Sequence, residues 1–324
     1  MAKSIETHSA ETLVLFPGSL GDFVCVLPAL ESLKLTSLTS KIAVAVRGQA
    51  LELALCIPWI SRVLSLDRGA FASLFTSSTM IADEVTHLFS SVAYVVSWFG
   101  HGSPEVQSTL ERLVPNGIRS FAFFRGQEQL HACRYYLRCV GGREIRCPSL
   151  AIVAENRKWL ESYWQLKGWN AASRLLIMHP GSGGKKKRWA ADGFVSVARW
   201  WTMDSARQIV ILLGPAEEHE EALWKKVGTV EKALSLRQVA ALLSRTDLYV
   251  GNDSGVSHLA GAVGARGAVL FGPTNSEQWR PLGGALIVIG NKAYRTTIPD
   301  AGISLNEVSP DAVIAELARI SGIR

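Results

Sequence analysis

The sequence predicts an α/β protein of two domains, each a parallel sheet wound with helices. Short apolar runs, the pattern of strands buried on both faces, alternate along the chain with longer helical stretches. Glycine turns repeatedly join a strand to the helix that follows, the order of βαβ units, whose parallel strands need crossover connections. The alternation fills one half of the 324 residues, breaks, and restarts. At roughly 100–200 residues per domain, two domains are the natural division.

Residues 12–16 (TLVLF) read as a buried strand that runs into Pro17-Gly18-Ser19-Leu20-Gly21-Asp22 and then an apolar helix over 23–35. Gly18 and Gly21 let the backbone turn sharply and approach a ligand. The third glycine of the dinucleotide fingerprint is missing, and the loop is not a Walker loop. Asp22 stands at the start of the helix, where ligands of open α/β sheets bind. It reads equally well as a helix cap. Strands over 42–46, 62–66, 94–98 and 119–124 alternate with helices over 49–56, 70–90, 104–113 and 128–140. Ser103 and Pro104 give the 104–113 helix its cap and first-turn proline.

Residues 141–148 form an irregular break, a helix follows over 154–167, and 168–173 is the expected hinge. The expected domains are therefore 1–168 and 169–308, with a last helix in 309–324. The alternation restarts with a strand over 174–179 (RLLIMH) aimed into Pro180-Gly181-Ser182-Gly183-Gly184-Lys185-Lys186-Lys187-Arg188-Trp189. Three glycines free the backbone and four consecutive cations follow, a cluster suited to a polyanion at the end of a strand. A charge run on a loop of unknown position is otherwise a solvated surface. A helix over 189–201, a strand over 208–213 and helices over 217–227 and 236–243 come next.

The most informative stretch is 247–281. Residues 248–250 read as a strand, Gly251-Asn252-Asp253 as a turn, 254–263 as a helix, and 267–271 as a second strand closed by Gly272-Pro273. Free backbone N–H groups and the positive end of the helix dipole meet at that turn and favour an anion. Asp253 and Ser254 flank it, and His258 lies one turn beyond Ser254 on the same side. The plainer reading makes Asp253 a cap and His258 a packed core residue. A last strand covers 285–289, and a final helix over 311–320 opens on Ser309 and Pro310.

Net charge is +6 and the pI about 9.1, which fits an anionic substrate, a nucleic acid or a negative membrane face without choosing among them. Cys25, Cys56, Cys133, Cys139 and Cys147 show neither a CxxC pair nor metal-ligand spacing, so they read as reduced thiols of a cytosolic protein. Residues 1–10 have no apolar signal-peptide core, and the apolar stretch 92–99 is far too short to span a bilayer. Any membrane contact is then peripheral.

Taken together, one half offers a carboxylate, Asp22, able to take a proton from a hydroxyl nucleophile. The other offers Lys187 with its neighbours, and a helix N-terminus at Ser254 and Gly255, to stabilise charge on a departing diphosphate. This is group transfer from a nucleotide-activated donor to a hydroxyl. No Asp-x-Asp occurs in the chain, so no metal is expected and lysine and amides would do its work; no cofactor is expected either.

The segments GSLGD, HPGSGGKKKRW and GNDSGVSHLAGAVG followed by AVLFGPTNSEQWRP resemble, in order, glycosyltransferase family 9, the ADP-heptose:lipopolysaccharide heptosyltransferases. The resemblance runs from residue 13 to residue 281, and its last motif is the most specific. It implies a GT-B fold, two Rossmann-like domains whose parallel sheets face an interdomain cleft, and inverting, single-displacement transfer. By motif position, Asp22 resembles the general base and Lys187 the diphosphate-binding lysine. Gly18, Ser19, Gly21, Ser182, Asp253, Ser254, Gly255 and His258 fall on the donor side, and the last helix would cross back onto the first domain. The implied partners are a nucleotide sugar, ADP-heptose by default, and a lipid-anchored anionic acceptor at the cytoplasmic face of the inner membrane. Arg125, Arg134, Arg138 and Arg143 are candidate acceptor contacts, or else a solvated surface. Segment 294–308 lacks the cysteine that many family members carry there. The competing readings are another GT-B sugar-nucleotide enzyme, such as an epimerase, and a non-enzymatic basic binding protein. No nucleic-acid module is recognisable, and the oligomeric state is open.

Overall fold

The computed structural model describes residues 11–36, 41–75, 83–115, 117–126, 129–144, 146–290 and 305–322. The chain divides into two compact units, Met1–Arg146 and Cys147–Arg324.

The first unit holds a five-stranded sheet of β1 (Glu11–Leu15), β2 (Lys41–Val46), β3 (Ile60–Ser65), β4 (Val92–Ser97) and β5 (Ile118–Ser120). Its order is β3-β2-β1-β4-β5 and every pair is parallel. The connecting helices are α1 (Leu20–Thr36), α2 (Gln49–Ala54), α3 (Gly69–Ala72), α4 (Asp83–Phe89), α5 (Pro104–Leu113) and α6 (Ala132–Cys139). Every residue of β1 is buried, which is why its sequence shows an apolar run rather than alternation. Leu13 and Leu15 pack with Ala43, Ala45 and Val95 against Phe71, Phe89 and Leu110.

Three expectations shift here. The 70–90 stretch is not one helix: α3, a short 3-10 turn and α4 occupy it, with 76–82 outside the described residues. The strand expected over 119–124 ends at Ser120. Phe121 N still donates to Ser97 O at 2.8 Å, but Ser97 is the last residue of β4 and the ladder has no further partner. The following helix starts at Ala132, where the His131 ring accepts from Cys133 N.

The second unit holds β6 (Arg174–His179), β7 (Arg207–Leu212), β8 (Thr229–Glu231), β9 (Leu248–Asn252), β10 (Arg266–Phe271) and β11 (Ala285–Gly290). All pairs are parallel and the order is β11-β10-β9-β6-β7-β8. Counted from β6, this is the doubly wound order of dinucleotide-binding domains. Its helices are α7 (Ala154–Leu166), α8 (Ala191–Trp201), α9 (Glu221–Trp224), α10 (Leu236–Arg245), α11 (Gly255–Ala262), α12 (Ser276–Trp279) and α13 (Pro310–Ser321). No described helix is long and apolar enough to cross a membrane.

The division falls earlier than expected from the sequence. Helix α7, which the sequence places before the hinge, belongs to the second unit. Leu160, Tyr163 and Trp164 are buried, Arg245 of α10 lies 4.1 Å over the Trp164 ring, and the Tyr163 hydroxyl donates to Glu231 at 2.8 Å. The last helix, α13, inserts Val313 and Leu317, both fully buried, into the core of the second unit beside α8 and β10.

Both sheets change direction at their first strand, β1 in one and β6 in the other. Open doubly wound sheets bind ligands at the carboxyl ends of the strands flanking such a switch. The motif-bearing loops after β1, β6 and β9 leave the sheets at these two places.

Candidate active site

In the second unit, β6 and β9 are neighbours, with His179 opposite Gly251. The loops that follow them therefore meet. Asn252, fully buried at the end of β9, joins them: its Nδ2 donates to Pro180 O at 2.7 Å and its Oδ1 accepts from Trp189 N at 3.0 Å. One amide thus holds both ends of the basic loop. Within that loop, Lys187 Nζ donates to Asp253 Oδ2 at 2.8 Å, and Ser182 Oγ donates to Asp253 O at 2.7 Å. Asp253 is buried, whereas the Lys187 side chain is 38% exposed, so the ammonium is tethered but open to a ligand.

Ser254 caps α11 by accepting from Ser257 N at 3.3 Å. Ser257 Oγ in turn donates to Asn252 O at 2.6 Å and lies 2.8 Å from the Tyr249 hydroxyl. This network fixes the strand–turn–helix shape of 249–257. Gly255 opens α11 and His258 is buried one turn along it. The structure thereby brings Ser182, Lys187, Asp253, Ser254 and Gly255 into one cradle, a cation beside a helix N-terminus, chemistry that suits an anion.

A buried layer supports the cradle. Arg188 pairs with Glu217, and more distantly with Glu220 at 3.7 Å. The His179 ring donates through Nδ1 to Leu212 O at 2.9 Å, since a carbonyl only accepts. Burial, with the Arg188 cation adding to it, outweighs that bond and holds the imidazole down to about 4. Gly181 has no room for a side chain, because a Cβ would stand 2.6 Å from Glu217 Oε2. The Trp189 indole donates to Val308 O at 3.0 Å, and Leu305 packs beside Gly272. These residues tie the described end of segment 294–308 to the basic loop; 294–304 lie outside the described residues.

In the first unit, Asp22 is the third residue of α1 and half-buried. Its Oδ2 accepts from Ser19 N at 2.9 Å and from Ser19 Oγ at 2.6 Å. The capping role is thus real, and it also aims the carboxylate. A Cβ on Gly18 would stand 2.5 Å from both Asp22 Cβ and Phe16 Cε1, so only glycine fits between them. Gly21 is buried in the first turn of α1. Arg125, Arg134, Arg138 and Arg143 are all exposed, and Arg134 and Arg138 stand one turn apart on α6.

Sequence reasoning noted Asn252 only as a turn residue and did not single out Glu217. The available signal for Asn252 was an amide at the carboxyl end of an apolar strand, beside glycine. Glu217 carried only a weak one, a carboxylate three residues after Gly214, whose N–H it caps at 3.1 Å.

Solved structures share the fold. Over 96% of this chain and 97% of the other, the fold is similar to a glycosyltransferase family 9 protein of Veillonella parvula, with a TM-score of 0.77 at 20% identity. Over 96% and 98% it is similar to the ADP-heptose lipopolysaccharide heptosyltransferase II of E. coli, with a TM-score of 0.71 at 17% identity. The protein has the GT-B fold of heptosyltransferases. Sequence points the same way. Residues 148–301 match glycosyltransferase family 9 (heptosyltransferase). A stretch of 121 residues is 28% identical to lipooligosaccharide heptosyltransferase 2 of Campylobacter jejuni; it spans 33% of this chain and 36% of that relative. The match covers a little under half of the chain, and with the shared fold it makes the chain similar to glycosyltransferase family 9.

Proposed function

We propose that the protein is an inverting glycosyltransferase that moves heptose from ADP-heptose to a hydroxyl of a lipopolysaccharide core acceptor. The observation that supports this most is the cradle of Lys187, Ser182 and the α11 N-terminus at the sheet's switch point, which suits a diphosphate. Similarity to heptosyltransferases supports heptose as the sugar and ADP as the nucleotide. In the reaction, the acceptor oxygen forms a bond to the anomeric carbon as the bond from that carbon to the diphosphate breaks. Asp22 receives the acceptor's proton, and ADP leaves with its negative charge met by Lys187 and the amides of Ser254 and Gly255. These groups carry the charge without a metal ion. His258 contacts the donor from the first turns of α11, and Gly18, Ser19 and Gly21 add to the donor contacts. The exposed arginines meet an anionic acceptor held at the cytoplasmic face of the inner membrane.

Calorimetric titration of the protein with ADP, GDP, UDP and CMP in the presence of EDTA tests this reading. ADP should bind selectively. Lys187→Ala should weaken it by about 10- to 150-fold, the worth of a hydrogen bond to a charged group. Preference for another nucleotide would discard ADP-heptose as donor, and unchanged ADP affinity in Lys187→Ala would remove Lys187 from the site.

A further inference from the structure

The carboxyl ends of β1 and β4 close on a nest of aromatic rings. Phe16, directly after β1, packs edge to face on Trp98, directly after β4, with centroids 5.8 Å apart. Tyr136 of α6 sits against both, 5.2 Å from Phe16 and 5.5 Å from Trp98. Phe123, in the irregular stretch after β5, lies 5.7 Å from Phe16 and 6.1 Å from Tyr136. Phe16, Trp98 and Tyr136 are buried; Phe123 is half-buried and forms the outer surface of the nest. Asp22 stands across the Gly18 backbone from the Phe16 ring of the nest, and its charge reaches Tyr136. Phe121 is engaged elsewhere, between Trp98 and the Arg119 guanidinium.

Two polar atoms in the nest, Trp98 Nε1 and the Tyr136 hydroxyl, are buried without a hydrogen-bond partner. A buried hydroxyl without a partner destabilises a fold, and phenylalanine would fill the ring's place without that cost. Burial, and then the nearby charge of Asp22, push the Tyr136 phenol far above its ordinary range, so it remains a donor at working pH. The nest also occupies the switch point of its sheet, where doubly wound folds bind ligands. Apolar walls with a few convergent polar groups are the usual make-up of such sites.

We propose that this nest is the acceptor-sugar subsite: the Phe123 ring carries the apolar face of a pyranose, and the Tyr136 hydroxyl beneath it donates to a sugar oxygen, turning the reacting hydroxyl toward Asp22. This rests on the glycosyl-transfer reading and adds the residues that select the acceptor. Aromatic faces attract the polarised C–H groups of a sugar ring in the way they attract other positive edges.

The test is steady-state transfer from ADP-heptose to a heptose-deficient core lipopolysaccharide freed of its acyl chains, with Phe123→Ala, Phe123→Leu and Tyr136→Phe. Phe123→Ala should raise the acceptor KM about tenfold and leave the ADP-heptose KM unchanged, with Phe123→Leu in between. Tyr136→Phe should keep or raise the thermal midpoint while lowering kcat/KM for the acceptor about tenfold. A purely structural tyrosine would not separate those two readouts. Wild-type transfer that neither Phe123→Ala nor Tyr136→Phe alters overturns the subsite and leaves the transferase reading standing. If Phe123→Ala does not fold, Tyr136→Phe, which removes only an unpartnered oxygen, decides alone. A wild type that transfers to no core acceptor defeats the transferase reading, and the subsite with it.

Discussion

Acid should loosen the second unit through His179, and by a calculable amount. A histidine in the unfolded chain binds its proton near 6.5, whereas buried His179 resists protonation down to about 4. Above pH 6.5 both states are neutral and this residue makes no difference. As pH falls through 6.5 the unfolded chain takes up a proton that the folded one refuses, so stability falls, and the loss levels off below 4. At pH 5 the loss is about 2 kcal/mol, and in full about 3 kcal/mol. Urea midpoints of wild type and His179→Gln at pH 7.5, 6 and 5 measure it. Other titrating groups are common to both proteins, and glutamine keeps a donor for Leu212 O. Wild type should lose about 2 kcal/mol more than the variant between pH 7.5 and 5. Parallel losses would refute the reasoning. Because the folded imidazole stays neutral down to about 4, ADP affinity of the folded protein should not change through His179 between pH 6.5 and 5.

Three further outcomes follow from the geometry. Asn252→Ala leaves Pro180 O and Trp189 N without their partner, so it should cost about 2–4 kcal/mol in chemical denaturation and weaken ADP binding by slackening the basic loop. Glu217→Ala strips Arg188 of its buried carboxylate and should destabilise by about 3 kcal/mol, with the Arg188→Met, Glu217→Leu double variant recovering much of the loss. Gly18→Ala forces the Phe16 ring and Asp22 apart, costing about 1–3 kcal/mol and lowering turnover more than donor affinity, which kinetics and calorimetry separate.

Local chemistry made much of this fold legible. Helix α5 spans the expected residues because Ser103 caps it and Pro104 fills its first turn, and α13 is opened the same way by Ser309 and Pro310. Strand β6 also lies where the apolar run placed it. Strand β8 and helix α12, at three and four residues, are too short to show a period. The side on which α7 packs was hidden for another reason: its own sequence announces a helix, but Arg245 and Glu231 decide which sheet it covers. The site divides in the same way. The lysine cluster and the GNDSG turn were visible as local patterns. Asn252, which joins them, was not, because its partners lie 72 and 63 residues away. The aromatic nest draws on Phe16, Trp98, Phe123 and Tyr136, four elements whose meeting only the sheet order reveals.

The most direct test is ADP release from ADP-heptose, with and without a heptose-deficient core acceptor, by wild type and Asp22→Asn. The account predicts release only when the acceptor is present, with inversion at the anomeric carbon, and a loss of about 10²- to 10⁴-fold in Asp22→Asn at unchanged ADP affinity. Release or isomerisation of the donor without any acceptor, or turnover that survives Asp22→Asn, would contradict it.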